Sequence, residues 1–471
     1  MEPNTVDSNK TRAGFKALPP KSGSRKTVPP ARPLGPLGTY LAAPTRVLDS
    51  LTSTVRAGNR AFVVLIMAAV ALVIIPEVIN YLILKHVPDQ SIEQALVSAE
   101  SAIAGLSRWA LSGVLLAVAS VIVLMRGHPN RDITALLILL LALNLPYIVG
   151  PEPPGPADLI KIVLANIVLL AIWNTGAPTA ELKWIPILVT VVGAYSLIGG
   201  LLIPEYMMYN YPSRKAIIGG WQLAGPFGQS NALGMYCGVA FFLIPLIAGN
   251  RWRVLCGAIL LTTIVASATR TALTAVGIVL LWWLMCWLRS WISIRLAGSI
   301  LASLALATAM IVPFLDWSPD AFTGRAFIWS QGLRMWEQSP VVGMGFNWFL
   351  VYGQSAVELV VWAAPGTGHN ILVDTLIKSG LAGMAALLPV WIGAIFAVRR
   401  MPITYQQVAF FGYLIGFFVM ATTEAVWELW PSTQQFPTSG LIFATLLMSR
   451  SGALGQASSD EMVSVDAAKG V

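Results

Sequence analysis

Two arginines and one histidine carry most of the chemical interest of this chain. Arg270 stands in SATRTAL, Arg325 follows Gly324 in GRAFIWSQGLRMWEQ, and His369 comes after Gly366-Thr367-Gly368 and just before Asn370. Guanidinium is always charged, and its planar fork matches phosphate oxygens, each charge-assisted bond contributing about 1.5–3 kcal/mol. A neutral imidazole can take a proton from an attacking hydroxyl, an effect of about 10²–10⁴-fold in rate. Gathered in one place, these groups would hold a phosphate or diphosphate and activate a hydroxyl beside it. Each also has a plainer reading. An arginine near headgroups can snorkel onto lipid phosphate, and His369 can cap a helix or bind a headgroup. Arg214, Lys215 and Arg334 read first as snorkelling side chains, with Arg214 and Lys215 kept as supporting residues. Asp374 and Lys378 sit at i and i+4 on the helix after His369, so pairing with each other comes first and a part for Asp374 in the site second. His86 and His128 read as ordinary boundary residues.

The elements that must position these groups are membrane helices. Of the 471 residues, 56% are hydrophobic and only 11% charged, too few charges to cover a water-soluble globule. Apolar runs long enough to cross the bilayer predict about twelve helices, near 61–84, 109–125, 133–149, 159–173, 184–203, 232–248, 254–269, 271–288, 296–314, 370–398, 405–423 and 437–449. The expected class is therefore an all-α polytopic membrane protein. Residues 1–60 hold Pro19-Pro20, Pro29-Pro30 and many basic side chains, and read as a disordered basic cytoplasmic tail able to associate with anionic lipid. Residues 61–449 form the membrane domain and 450–471 a second cytoplasmic tail.

Loop charge sets the orientation. With both termini inside, the short inner loops hold Arg126 and Arg131, Lys183, Arg251 and Arg253, Arg289 and Arg295, and Arg399 and Arg400, as the positive-inside rule expects. Outer loops hold acids such as Glu152, Glu205, Asp316, Glu424 and Glu428. Arg270, Arg325 and His369 then all fall outside. The longest inter-helix segment, 315–369, lies outside between the ninth and tenth helices, and a loop of that length is usually functional. Within it, residues 324–338 predict an interfacial helix with Trp329 and Trp336 at headgroup level.

Several chemistries find no support. Cys237, Cys256 and Cys286 have no metal or redox spacing, and no Asp-x-Asp pair or phosphate-binding glycine loop is present. The expectation is metal-independent, cofactor-free chemistry with no nucleic-acid partner.

Four segments resemble the O-antigen ligase and polymerase superfamily of bacterial cell-surface polysaccharide assembly. PFGQSNALGMY (226–236) is similar to its Asn-containing helix opening, and SATRTAL (267–273) to its Ser-x-x-Arg element. GRAFIWSQGLRMWEQSPVVGMGFNWF (324–349) resembles its outer-loop Gly-Arg…Pro-x-x-Gly-x-Gly-Phe stretch, and HNILVDTLIKSGLAGM (369–384) its His-Asn…Gly-x-x-Gly helix start. The likeness spans about residues 220–390. Lys378 departs from it, standing where many members carry an acid, and so does the long basic tail.

The resemblance implies an inverting glycosyltransferase of the C-type membrane architecture, in the bacterial inner membrane with its site on the extracytoplasmic face. Its donor would be a glycan on a polyprenyl diphosphate of the undecaprenyl type, and its acceptor a glycan or lipid hydroxyl. Arg270 and Arg325 would hold the diphosphate, His369 would be the catalytic base, and Asn231 and Asn370 would be supportive. Membrane lipid and other polysaccharide-assembly proteins are the implied partners. Motif spacing leans toward a polymerase. A ligase to lipid core and a protein O-oligosaccharyltransferase are the alternatives within the family, and a twelve-helix transporter the rival from another class.

Overall fold

A computed structural model describes residues 37–86, 100–125, 133–150, 153–210, 220–288, 293–351, 366–431 and 433–449. Fourteen helices run through these residues: α1 (Leu37–Leu84), α2 (Ala102–Leu124), α3 (Ile133–Val149), α4 (Pro156–Thr175), α5 (Trp184–Leu202), α6 (Ser230–Phe241), α7 (Asn250–Ala266), α8 (Arg270–Leu288), α9 (Ile294–Ile311), α10 (Arg325–Trp336), α11 (Trp348–Val351), α12 (Ile371–Arg400), α13 (Tyr405–Ala421) and α14 (Gly440–Met448). Among the described residues, seven spans are long and apolar enough to cross a membrane, beginning with Ala57–Leu84 and ending with Ile371–Arg400. Three shorter apolar helices accompany them, Ile133–Val149, Tyr405–Ala421 and Phe436–Met448. Leu124, Leu201 and Trp287 are exposed, as side chains facing acyl chains would be.

A helix occupies each of the twelve places expected from the apolar runs, with four differences. Residues 37–60, expected as tail, are helical and form the first part of α1, whereas residues 1–36 and 450–471 lie outside the described residues. The sixth helix stops at Phe241, because Pro245 lacks the N–H that a continuing helix needs, and the chain passes through a short turn at Ile244–Leu246. A two-stranded antiparallel hairpin, β1 (Met208–Asn210) with β2 (Trp221–Leu223), interrupts the all-helical pattern between α5 and α6. The helix predicted at 324–338 is present as α10, but Trp329 is fully buried. It packs with Val373 and Ile377 of α12 rather than standing at headgroup level.

α12 is broken, and its break explains two of the sequence motifs. Gly380 has φ +60° and ψ −157° inside the helix, a conformation that side chains with a Cβ rarely adopt. The backbone groups freed there are taken up by the segment before α11. Met344 N–H donates to the Ile377 carbonyl at 2.7 Å, while Leu381 and Ala382 N–H donate to the Pro340 and Val341 carbonyls, each at 2.9 Å. A Cβ on Gly343 would meet the Ile377 carbonyl oxygen at 2.6 Å. The Pro-x-x-Gly loop thus plugs the break at Gly380, and the interruption is tolerated because protein rather than lipid surrounds it.

The helices present two chemically different ends. At one, Arg295 at the start of α9 donates to the Met401 carbonyl beyond α12 at 3.2 Å, and Arg253 near the start of α7 stacks over the Tyr405 ring that opens α13. At the other end lie the Ser267–Thr269 turn between α7 and α8, the head of α10, the turn at His369 and the residues just after α13.

Candidate functional site

Asn370 builds the second of these ends. Its side-chain oxygen accepts from Leu372 N–H at 2.8 Å and Val373 N–H at 3.1 Å, capping α12, an N-terminal role that asparagine fills well. Its amide donates to the Ala309 carbonyl of α9 at 2.9 Å and the Thr422 carbonyl after α13 at 2.8 Å. One fully buried amide therefore clamps three helix ends together. It acts as an anchor, and it fixes the backbone from which the adjacent His369 projects.

His369 has φ +47°, in the left-handed region that non-glycine residues occupy at a cost of about 1–3 kcal/mol. Ala268, Phe322 and Thr323 share that region at φ +56°, +53° and +64°. Four of the six non-glycine residues with positive φ among those described thus sit at this end of the bundle. The left-handed Ala268 lets α7 stop and α8 restart with Arg270 at its head. The Ser267 and Thr269 hydroxyls bond each other at 2.9 Å within that turn, and Gly234 of α6 packs so close to them that a Cβ would collide.

The turns at Ala268 and at Phe322–Thr323 line one cavity of about 560 Å³, and His369 is not among its lining residues. Arg270, Arg325, Asn231 and Glu424 line its rim with Thr271, Thr323, Thr422 and Thr423. Thr274 and Ile278 of α8 and Ala305 and Thr308 of α9 continue the wall downward. From Arg270 to Ile278 the wall descends about 12 Å at the helical rise, from charged to apolar.

Arg325 donates from Nη2 to Glu424 Oε1 in a close ion pair and from Nη1 to the Phe322 carbonyl at 3.4 Å. The other carboxylate oxygen of Glu424 lies 3.4 Å from His369 Nδ1, at the long end of hydrogen bonding. Glu424 is 3% exposed, and a buried carboxylate is tolerated only when it is paired in this manner. So Arg270 and Arg325, distant in sequence, face one cavity, and His369 joins it through Glu424.

The other expected residues divide. Asn231 is at the cavity and Asn370 beneath it. Asp374 faces away: it accepts from Lys378 Nζ at 2.7 Å and from Gly368 N–H at 3.1 Å. It lines a separate cleft of about 50 Å³ with Phe346, Trp427, Glu428 and Trp430. There, burial pushes the Glu428 carboxyl up to about 7; Lys378 opposes the shift and Asp374 adds to it. Arg214 and Lys215 lie outside the described residues. Glu424 is the residue that sequence reading passed over as one outer-loop acid among several. The signal available was a carboxylate directly after two threonines at the end of an almost uncharged helix, in TTEAVW.

Residues 255–388 match the family model described as O-antigen ligase. The match supports a likeness to the O-antigen ligase and polymerase superfamily. The matched stretch contains Arg270, Arg325 and His369 and excludes Asn231 and Glu424. The exopolysaccharide production protein ExoQ of Rhizobium meliloti (strain 1021) is 26% identical over 239 residues, which is 44% of this chain and 51% of that protein. The chain spans about half the length of this curated relative. With seven helices of membrane-crossing length and composition among the described residues, this likeness indicates a multi-pass membrane protein.

Proposed function

We propose that the protein transfers a glycan from a polyprenyl-diphosphate carrier to a hydroxyl acceptor, with inversion and without a metal, in the bacterial inner membrane. The observation that carries this reading is one cavity lined by two arginines from separate segments and by an uncharged wall running between α8 and α9. That gradient suits a ligand whose charged diphosphate sits above a hydrocarbon chain. In this reading about twelve helices cross the bilayer and both termini are cytoplasmic. Arg253, Arg295, Arg399 and Arg400 cluster at the end away from the cavity, which by the positive-inside rule supports an extracytoplasmic site.

In the reaction, Arg270 and Arg325 neutralise the diphosphate as negative charge builds on it, so that it becomes a good leaving group. His369 takes the acceptor hydroxyl proton. The freed oxygen pair forms the new bond at the anomeric carbon, and the old carbon–oxygen bond leaves with its electrons on the diphosphate. Anchoring both donor and base on clamped helix ends supplies orientation.

The relative's role in exopolysaccharide production favours a polymerase, whose acceptor is a second carrier-linked chain. The family description favours a ligase, which delivers one finished glycan. The test is purified protein in lipid nanodiscs with a lipid-linked oligosaccharide. A ladder of lengthening chains is expected, a single addition to lipid or protein would select the ligase class, and no transfer to any hydroxyl acceptor would reject the proposal.

A further inference from the structure

We infer that Glu424 is a positioning residue that holds His369 in its Nδ1–H tautomer, turning the basic Nε2 toward the acceptor hydroxyl. This rests on His369 being the base in the reaction proposed above. A neutral imidazole carries one proton, and whichever nitrogen holds it cannot accept another. Which nitrogen that is depends on the hydrogen bond made by its partner. In this structure Nδ1 is the nitrogen that faces a carboxylate, Glu424 Oε2 at 3.4 Å. A carboxylate only accepts, so Nδ1 must donate, and Nε2 is left with the lone pair. When Nε2 takes the acceptor proton, the resulting imidazolium lies against Glu424 and is stabilised there.

The second half of the argument is how the carboxylate is divided. Its other oxygen, Oε1, is bound by Arg325 Nη2. Each oxygen has its own task, one toward the diphosphate arginine and one toward the base. Among the described residues the charges beside His369 are Glu424 and, through it, Arg325; Arg270 lines the same cavity as Glu424, and Asp374 is taken up by Lys378 and the Gly368 backbone. The left-handed backbone of His369 and the Asn370 clamp behind it fix the point from which the ring projects toward Glu424.

This division makes Glu424→Gln informative. An amide has one accepting oxygen and one donating nitrogen. Arg325 can only donate, so it claims the oxygen and turns the NH₂ toward Nδ1. His369 must then accept at Nδ1, and its proton moves to Nε2. In serine-protease triads the same carboxylate-to-amide change acts by this route and lowers kcat about 10⁴-fold.

The experiment uses full-length protein labelled with ¹⁵N-histidine, in nanodiscs at pH 8. The chain has only three histidines, so the His369 signals are identified by their loss in His369→Ala. The wild type is expected to show His369 protonated at Nδ1, and Glu424→Gln to show it protonated at Nε2. The variant's kcat is expected to fall about 10²–10⁴-fold, with donor KM changed less than threefold. An Nε2–H wild type overturns the proposal without any variant needing to fold. So does a Glu424→Gln protein that keeps the wild-type tautomer and kcat while His369→Ala is inactive. A fully active His369→Ala instead rejects the base assignment on which the proposal rests.

Discussion

Two charged clusters lie on either side of the Gly368–Asn370 turn, and they differ in what their charges have left to do. On one side, Glu424 joins Arg325 to His369 at the edge of a cavity of about 560 Å³. On the other, Asp374 and Lys378 pair at 2.7 Å beside a cleft of about 50 Å³, with Lys378 also over the Phe346 ring. Ring packing encloses the second cluster: Tyr147, Phe346 and Trp430 have centroids 4.5–5.8 Å apart. Residue types alone do not separate the two. Space for a ligand, left-handed backbone and arginines converging from different segments do. In the function proposed above the first cluster meets a charged substrate, whereas the second holds the turn in place, since Asp374 also binds Gly368 N–H.

The comparison breaks most readily at His369. His369→Ala is expected to lower transfer about 10²–10⁴-fold without changing the melting behaviour of the purified protein, as read by initial rates on a lipid-linked oligosaccharide. Next come Arg270→Ala and Arg325→Ala. Losing the equivalent of one charge-assisted contact should reduce kcat/KM about 10–150-fold each. Lysine replacements should recover only part, because an ammonium does not fork onto two oxygens. Lys378→Met probes the opposite side. It leaves the half-buried Asp374 without its counter-ion and should cost about 3 kcal/mol of stability, measured by denaturation in detergent. Turnover per folded molecule should stay within threefold. A collapse of turnover in the folded variant would erase the distinction between the clusters.

The smallest expected effect contrasts two imidazoles. His86 is almost fully buried, stacked on Tyr81 at 4.2 Å, with Nε2 facing the Gly225 carbonyl at 2.9 Å. Burial pushes its pKa down to about 4, against a slight opposing pull from the Gly225 carbonyl. Because the unfolded chain binds the proton more readily, this site's stability is intact above about pH 6.5 and lost as pH falls toward 4. The loss is on the order of 3 kcal/mol. His86→Gln should flatten that acid limb in a pH series of melting curves, with transfer unaffected. This imidazole is held neutral by its surroundings, while His369 faces a carboxylate.

Much of the bundle was legible in sequence because lipid solvent imposes a simple rule: apolar runs near twenty residues form helices. Arg270, Arg325 and His369 stood out in sequence because arginines in loops expected outside run against the charge rule and because histidine is scarce. Glu424 was hidden, since its role depends on α10 and α12 approaching the end of α13, a contact nearly a hundred residues away from Arg325. The interior position of Trp329 was hidden for a similar reason. Its helical spacing is the same whether the ring meets headgroups or Val373. The break at Gly380 could be seen as a glycine, but not as a socket for the Pro340–Gly343 loop, which requires the pairing itself.

The central claim is that one lipid-linked diphosphate sits between Arg270 and Arg325 with its chain along α8. The most direct measurement is a cryo-EM structure of the full-length protein in nanodiscs with undecaprenyl diphosphate. Density for the two phosphates against both guanidinium groups, with the first isoprene units passing Thr274 and Ile278, is the expected result. Diphosphate bound at another face, with this cavity holding none, would contradict the account.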